Sequence, residues 1–183
     1  MKYYHVSSQL KEGDRIIPFE KTFRGWSLFA YETIITSKKE FYDCLDYLKS
    51  SSVYLDTDRT PEKWICETLF ENIRKKHFQN HPSRIYGTYL CKTLADAKEF
   101  KRTYRPESAK IFEVEISDVV NFYDMSIFTK AESIIYGSSI KDSSYEICIQ
   151  LAFDYWNSQN NCKVIEKEYL YGDALFIGKE IIN

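Results

Sequence analysis

The chain has almost no imbalance of charge: 25 Lys and Arg against 27 Asp and Glu leave a net charge of -2 over 183 residues. That balance argues against a protein whose affinity comes from wrapping nucleic-acid phosphates, which needs a clear basic excess on one face, and leaves room for a local basic patch. No apolar run approaches the ~18 residues needed to cross a membrane. No basic-then-apolar leader opens the chain, because Met1 leads almost directly into an ordered-looking segment. A cytoplasmic location with no membrane partner is therefore expected. The five cysteines are odd in number and show no C-x-x-C spacing, so neither a disulfide framework nor a zinc site is indicated. They read as free, mostly buried thiols in a reducing compartment. Internal repeats, linkers, low-complexity tracts and Gly-rich phosphate loops are also missing. What is abundant is aromatic: 15 Tyr, 12 Phe and 3 Trp make up 16% of the chain. Aromatic side chains favour strands and bury large areas, so a sheet-containing core is expected. The length suits one domain spanning residues 1–183.

The pattern along the chain is mixed. Tyr3–Ser7 reads as a strand, Gly13-Asp14 as a turn, and Arg15–Ile17 as an extended piece stopped by Pro18. Ser37 with Glu40 three residues on is a capping box, and Phe41, Cys44, Leu45 and Leu48 follow at helical spacing. A polar stretch, Ser50–Asp58, precedes a second helix opened by Thr60 and Pro61. Its buried stripe is expected to be Ile65, Leu69 and Ile73, flanked by Cys66 and Phe70, with His81-Pro82 ending it. Arg84–Leu90 reads as a strand, and Thr93 caps a helix carrying Leu94, Ala97 and Phe100. Phe112, Val114 and Ile116 alternate with polar residues as a half-buried strand, and Asn121–Asp124 reads as a short one. Tyr145–Trp156 is helical. Val164–Tyr171 and Ala174–Ile177 are the last strand candidates, joined at Gly172-Asp173. The sum is an α+β domain with strands at its start, middle and end.

Three pieces carry candidate chemistry. Tyr4-His5-Val6-Ser7 puts His5 and Ser7 on one strand face. Tyr86-Gly87-Thr88-Tyr89-Leu90-Cys91 runs into the helix of Leu94 and Ala97. Glu166-Lys167-Glu168-Tyr169-Leu170-Tyr171 holds two acids two residues apart, expected to share a strand face. Together they resemble the ADP-ribosyltransferase fold in its His-Tyr-Glu branch, which includes diphtheria toxin, the poly(ADP-ribose) polymerases and the small rifampin ADP-ribosyltransferases. Tyr4-His5-Val6-Ser7, with Leu10, Gly13-Asp14 and Ile16 behind it, is similar to the opening strand of the rifampin enzymes. Tyr89-Leu90-Cys91 resembles the family's Tyr-bearing strand that leads into a helix. Glu168-Tyr169-Leu170 resembles the polymerases' catalytic Glu-Tyr-Ile strand. The chain is also similar to a poorly characterised bacterial group of this fold with an early His strand, a Tyr-Trp pair (here Tyr155-Trp156) and a late glutamate.

The resemblance implies two packed, mainly antiparallel sheets forming a cleft, with flanking helices, and NAD as the cofactor. It implies transfer of ADP-ribose to an acceptor that is a protein, a nucleic acid or a small molecule. Glu168 would stabilise the oxocarbenium-like ribose, a charge that develops only in the transition state. Tyr89 would lie against the nicotinamide, with Tyr86 as its competitor in register. His5 and Ser7 would hydrogen-bond ribose hydroxyls and fix the dinucleotide's pose, and Arg84, after Ser83, would reach a phosphate. Two departures leave the acid open. The rifampin enzymes use an aspartate, for which Asp124 is the candidate. The Glu166/Glu168 pair is similar to the paired acids of the Arg-Ser-Glu branch, although the N-terminal histidine argues against membership there. Val6 also stands where the diphtheria and rifampin groups have glycine.

Each residue has a plainer reading as well. His5 would be a structural histidine, Tyr89 packing, the two glutamates a solvated face, and Tyr155-Trp156 helix packing. Arg74-Lys75-Lys76-His77 reads as an exposed helix end complementing the helix dipole. The alternative for the whole protein is an inactive member of the fold that binds nucleotides or proteins. A third reading keeps the enzyme and changes its chemistry to NAD hydrolysis or RNA-phosphate transfer.

Overall fold

The computed structural model describes residues 1–18, 25–51, 60–136, 143–164 and 166–181. Its elements run β1 (Lys2–Ser7), β2 (Arg15–Ile16), α1 (Gly25–Glu32), α2 (Lys38–Ser50), α3 (Pro61–His77), β3 (Thr88–Leu90), α4 (Leu94–Tyr104), β4 (Lys110–Glu115), β5 (Asn121–Asp124), α5 (Met125–Tyr136), α6 (Ser144–Asn157), β6 (Lys167–Tyr171) and β7 (Leu175–Phe176). The expected mixture of helices and small antiparallel sheets is present. Of the polar stretch Ser50–Asp58, residues 52–58 lie outside the described residues.

These elements separate into two compact units. One is assembled from Met1–Lys21, Tyr86–Phe122 and Lys167–Asn183, the other from Thr22–Ile85 and Tyr123–Glu166. The chain passes between them repeatedly, so no linker marks a boundary in the sequence.

The first unit holds most of the strands. β1 pairs with β4 antiparallel, His5 opposite Phe112 and Val6 opposite Ile111. β2 pairs with β7, and β3, β6 and β5 form a three-stranded sheet in that order. Alternation divides the side chains of the β1 sheet into two apolar sets. Tyr3, Phe112, Val114 and Ile116 join Leu90, Tyr171, Leu175 and Ile177 in one cluster. Val6 and Ile111 meet Ala97 of α4 and Ala109 in the other. After β7 the chain runs along β4, with Glu113 N–H donating to the Lys179 carbonyl (2.9 Å) and Gly178 N–H donating to the Glu113 carbonyl (3.0 Å). A Cβ on Gly178 would stand 2.4 Å from the Glu113 oxygen, so this approach needs glycine. Thr93 and Asp96 form the capping box that starts α4.

The second unit is helical and is organised around α3. Trp64, Ile65, Leu69 and Phe70 are fully buried, as are Phe128 of α5 and Tyr155 and Trp156 of α6. Trp156 Nε1–H donates to the Phe70 carbonyl at 2.8 Å. α3 is buried well beyond the expected stripe: Glu67, Thr68 and Glu71 are 2%, 0% and 1% exposed. Packing on several sides replaces the single apolar face that the spacing implies.

Four expectations change. α3 ends at His77, with Phe78 as its C-cap, four residues before the His81-Pro82 stop. The strand expected over Arg84–Leu90 is only Thr88–Leu90, because residues 84–86 form a buried turn. The strand expected from Val164 begins at Lys167. The short α1 and the twelve-residue α5 were not anticipated, although Phe128, Ala131 and Ile135 of α5 recur at helical spacing and are buried.

Candidate functional site

Within the strand unit, β1, β3 and β6 are consecutive neighbours. Tyr4 and Cys91 form an antiparallel bridge, each donating its N–H to the other's carbonyl (2.9 and 2.8 Å). In a continued ladder the next bonded pair would join Val6 to Tyr89. The strands part instead, and the His5 imidazole Nδ1 lies 3.0 Å from the Tyr89 carbonyl oxygen. An Nδ1–H tautomer donates this bond and leaves Nε2 as the acceptor. On its other side β3 pairs with β6, Tyr89 opposite Leu170 and Leu90 opposite Tyr169. One further step of that register sets Glu168 across from Cys91.

Alternation from these pairs decides which side chains share a face. Tyr89, Cys91, Glu168 and Leu170 leave the sheet on one side. His5 and Ser7 leave on the other, with Thr88, Leu90, Tyr169 and Tyr171. The structure thus unites Tyr89 with Glu168 on one face. It joins His5 to the same point through the Tyr89 backbone rather than through the ring. Tyr89, His5 and Glu168 are all half-buried. Burial, reinforced by Asp96, pushes the neighbouring Cys91 thiol up to about 11.

The remaining expected residues are distributed as follows. The Ser7 hydroxyl oxygen accepts the N–H groups of Gln9 (3.1 Å) and Leu10 (3.3 Å), which closes the turn after β1. Tyr86 is 7% exposed and lies in the turn before β3. Arg84 belongs to the helical unit and is 4% exposed. Its Nε donates to Glu67 at 3.0 Å and its Nη1 to the Tyr155 hydroxyl at 2.9 Å. Its guanidinium also lies over the Phe128 ring, 3.9 Å from the centroid. Arg84 in this position serves the interior of the helical unit. Ser83 does the same, donating to Glu71 at 2.9 Å.

Two of the three candidate acids also fall in the helical unit. The Asp124 carboxylate accepts from the Ser126 N–H (3.1 Å) and hydroxyl (2.6 Å), which caps the start of α5. Glu166 is exposed and precedes β6, with its carbonyl accepting the Met125 N–H at 2.9 Å. The two glutamates therefore do not share a strand face. Glu168 is the acid in the same unit as His5 and Tyr89. In the basic stretch, Arg74 is held by Glu71 (2.7 Å) and by the His81 carbonyl (3.0 Å). Lys75 donates to the Tyr31 carbonyl.

Two features escaped the sequence. The Thr88 hydroxyl is 1% exposed and has no hydrogen-bond partner among the described residues. It is an orphaned polar group on the face that carries His5 and Ser7. On the same side, Lys92 lies over Tyr3 (4.2 Å), Tyr3 packs on Tyr169 (6.0 Å), Tyr169 on Phe122 (5.5 Å), and Lys167 lies over Phe122 (4.6 Å). Such a row runs across strands distant in sequence, so no local pattern announces it. Among the described residues, no cluster of His, Cys, Asp and Glu has the grouping of a metal site, and no helix is long and apolar enough to cross a membrane.

A search of curated proteins finds no match. A family model does match, over residues 3–183, and covers both units. The chain belongs to the family described as a protein of unknown function, DUF2441.

Proposed function

We propose that the strand unit is an ADP-ribosyltransferase-like NAD site, in which His5, Tyr89 and Glu168 cleave the nicotinamide–ribose bond and pass ADP-ribose to an acceptor. The observation that carries this reading is the neighbourhood of β1, β3 and β6. The three strands holding the His, the Tyr and the Glu lie side by side, and the His5 imidazole bonds Tyr89 where β1 and β3 part. In the gap where the two strands part, the Val6 backbone groups have no ladder partner among the described residues, and a planar amide such as nicotinamide could take that place. Val6 directs its N–H and C=O toward that gap, because Tyr4, two residues earlier, directs its own groups to Cys91.

In this reading Tyr89 stacks on nicotinamide, which leaves as a neutral base. Glu168 on the same face faces the ribose, and its carboxylate is worth most when the sugar becomes cationic. The His5 side chain leaves the sheet on the other face, so it would reach a ribose hydroxyl through Nε2 only around the edge where β1 and β3 part, its orientation set by the Nδ1 bond to Tyr89. The Asp124 carboxylate is engaged in starting α5 and Glu166 stands exposed ahead of β6, whereas Glu168 is the acid on a strand beside Tyr89, which favours it as the acting carboxylate. The acceptor, whether protein, nucleic acid or small molecule, is left undefined by these groups. An inactive nucleotide-binding module is the rival reading.

The test is release of nicotinamide from NAD, with and without cell extract, by wild type, Glu168→Gln, Glu166→Gln and Asp124→Asn. Loss of one well-placed electrostatic stabiliser costs about 10²–10³ in rate. That loss is expected for Glu168→Gln with NAD affinity nearly unchanged. His5→Ala is expected to remain folded and to lose most of the rise in melting temperature that NAD gives wild type. A Glu168→Gln protein that turns over like wild type, with Asp124→Asn dead, moves the acid to the other unit. A wild type that binds NAD but releases no nicotinamide under any acceptor condition is the inactive module.

A further inference from the structure

The C-terminal half of α4 and the start of β4 enclose an open cavity of about 400 Å³, lined by Lys98, Lys101, Arg102, Arg105, Glu107 and Ile111. Its volume lies within the ~300–1,000 Å³ range of small-molecule sites. Four of its six lining residues are cations and one is an acid, in a chain whose net charge is -2. The cations fall at helical offsets of three, four and seven residues from Lys98, so they share one face. At 1.5 Å per residue that row extends about 10 Å along the axis.

The helix dipole explains part of this placement. Lys101 and Arg102 occupy the last turn of α4, where cations are favoured. Arg105 is the C-cap residue at the same end, while Lys98 lies a turn earlier, where the dipole does not account for it. Internal pairing accounts for only part of the group. Glu99 takes Arg102 (2.5 Å), and Arg105 lies over the Phe100 ring at 5.1 Å. Lys98 and Lys101 have no carboxylate partner among the described residues. Like charges held along one cavity wall repel one another, and an anion bound between them would reverse that cost. Ile111 and the aliphatic stems of the lysines and arginines supply the apolar part of the lining.

We propose that this cavity binds a small phosphorylated molecule with two or three consecutive phosphates, such as a nucleoside di- or triphosphate. Guanidinium groups chelate phosphate oxygens in pairs and ammonium groups act as point charges, so the mixed row suits a short polyphosphate rather than a single carboxylate. The concave shape and the short span favour a small molecule over a nucleic-acid strand, which would need a longer basic track. The proposal does not depend on the NAD reading, since His5, Tyr89 and Glu168 are not among the lining residues.

The experiment is calorimetric titration of the full chain with inorganic tripolyphosphate, pyrophosphate and sulfate at low and at physiological salt. The Lys98→Gln/Lys101→Gln protein, Lys39→Gln as an exposed control on α2, and His5→Ala are titrated alongside. Tripolyphosphate is expected to bind more tightly than pyrophosphate, with sulfate far weaker, and with affinity falling as salt rises. The double variant is expected to lose about tenfold or more in affinity, while Lys39→Gln and His5→Ala match wild type. Sulfate binding as tightly as tripolyphosphate, or an unchanged affinity in the folded double variant, overturns the proposal. So does a single-stranded oligonucleotide that binds through Lys98 and Lys101 when tripolyphosphate does not. Loss of tripolyphosphate binding in His5→Ala would also overturn it, by assigning the phosphates to the strand gap. Failure of NAD turnover leaves it untouched.

Discussion

Arg84 separates a structural from a ligand-binding role by a measurable amount. Its side chain is 3% exposed and its partner Glu67 2%, with 3.0 Å between Nε and the carboxylate. Arg84→Met keeps most of the apolar stem and leaves the Glu67 carboxylate in the interior of the helical unit without its cation. Breaking a buried pair on one side costs about 3–5 kcal/mol, because the surviving charge stays desolvated. With a urea m-value of about 2 kcal/mol/M, the midpoint moves down by about 1.5–2.5 M. For a chain of this length the melting temperature is expected to fall by about 6–20 °C. Glu67→Leu/Arg84→Met removes both charges and is expected to recover most of the loss. A small deficit persists, since the Tyr155 hydroxyl no longer receives its bond from Arg84. Lys39→Met breaks an ion pair whose side chains are 83% and 59% exposed, so it should leave the midpoint unmoved. Urea unfolding followed by far-UV circular dichroism and by Trp fluorescence reads all four proteins. A midpoint shift below about 0.5 M for Arg84→Met at unchanged m, or a double variant no better than the single, refutes the burial argument. Arg84 would then be available to a ligand after all.

Three other outcomes follow from the packing. His81 has a buried Nδ1 without a hydrogen-bond partner; burial first, and then the Arg74 charge, hold its pKa below the ordinary value of 6.5. The unfolded chain therefore takes up a proton that the folded chain refuses, so this stability is present above the unfolded pKa and lost as pH falls below it. Denaturation midpoints between about pH 7.5 and about pH 5.5 should drop more steeply for wild type than for His81→Gln; parallel slopes would refute this. Among the thiols, Cys162 is exposed while Cys66 and Cys148 are buried, the last pushed up to about 12 by desolvation. Cys162 should react first with a thiol reagent and Cys162→Ser should remove the fast phase, with Cys66 and Cys148 reacting only on unfolding; fast labelling of Cys148 in the native protein is the contrary result. Gly178→Ala forces a Cβ into the Glu113 carbonyl and should cost about 1–3 kcal/mol by urea unfolding, whereas an unchanged midpoint would mean that the C-terminal segment does not hold this register.

Local chemistry was legible because its causes lie within a few residues. Ser37 with Glu40 and Thr93 with Asp96 satisfy the orphan N–H groups at the starts of α2 and α4, and Thr60 with Pro61 opens α3. Tyr3–Ser7 and Phe112–Ile116 show their strands through alternation, and free thiols follow from the unpaired spacing of the cysteines. The order of His5, Tyr89 and Glu168 along the chain was readable too, as was their placement on strands. Their neighbourhood was not. It depends on β1 meeting β3 at Tyr4–Cys91, a contact across 87 positions, and on β3 meeting β6 across about eighty. Neither pairing leaves a local signature.

Tertiary structure alone decided which charges are interior. Glu67, Glu71 and Arg84 look like surface residues in a polar helix and a strand, yet α3 is enclosed by its neighbours, Glu67 pairs with Arg84, and Glu71 pairs with Arg74 and Ser83, largely out of water. Residues 84–86, which carry one of these pairs, form a buried turn where propensity alone suggests a strand. Tertiary structure likewise decided that Glu166 and Glu168, two residues apart, belong to different compact units. The break falls where the chain enters β6. Adjacency along the sequence therefore says nothing of whether the two carboxylates act together. Side-chain periodicity reports which face a residue takes, and only the packed chain determines what that face meets.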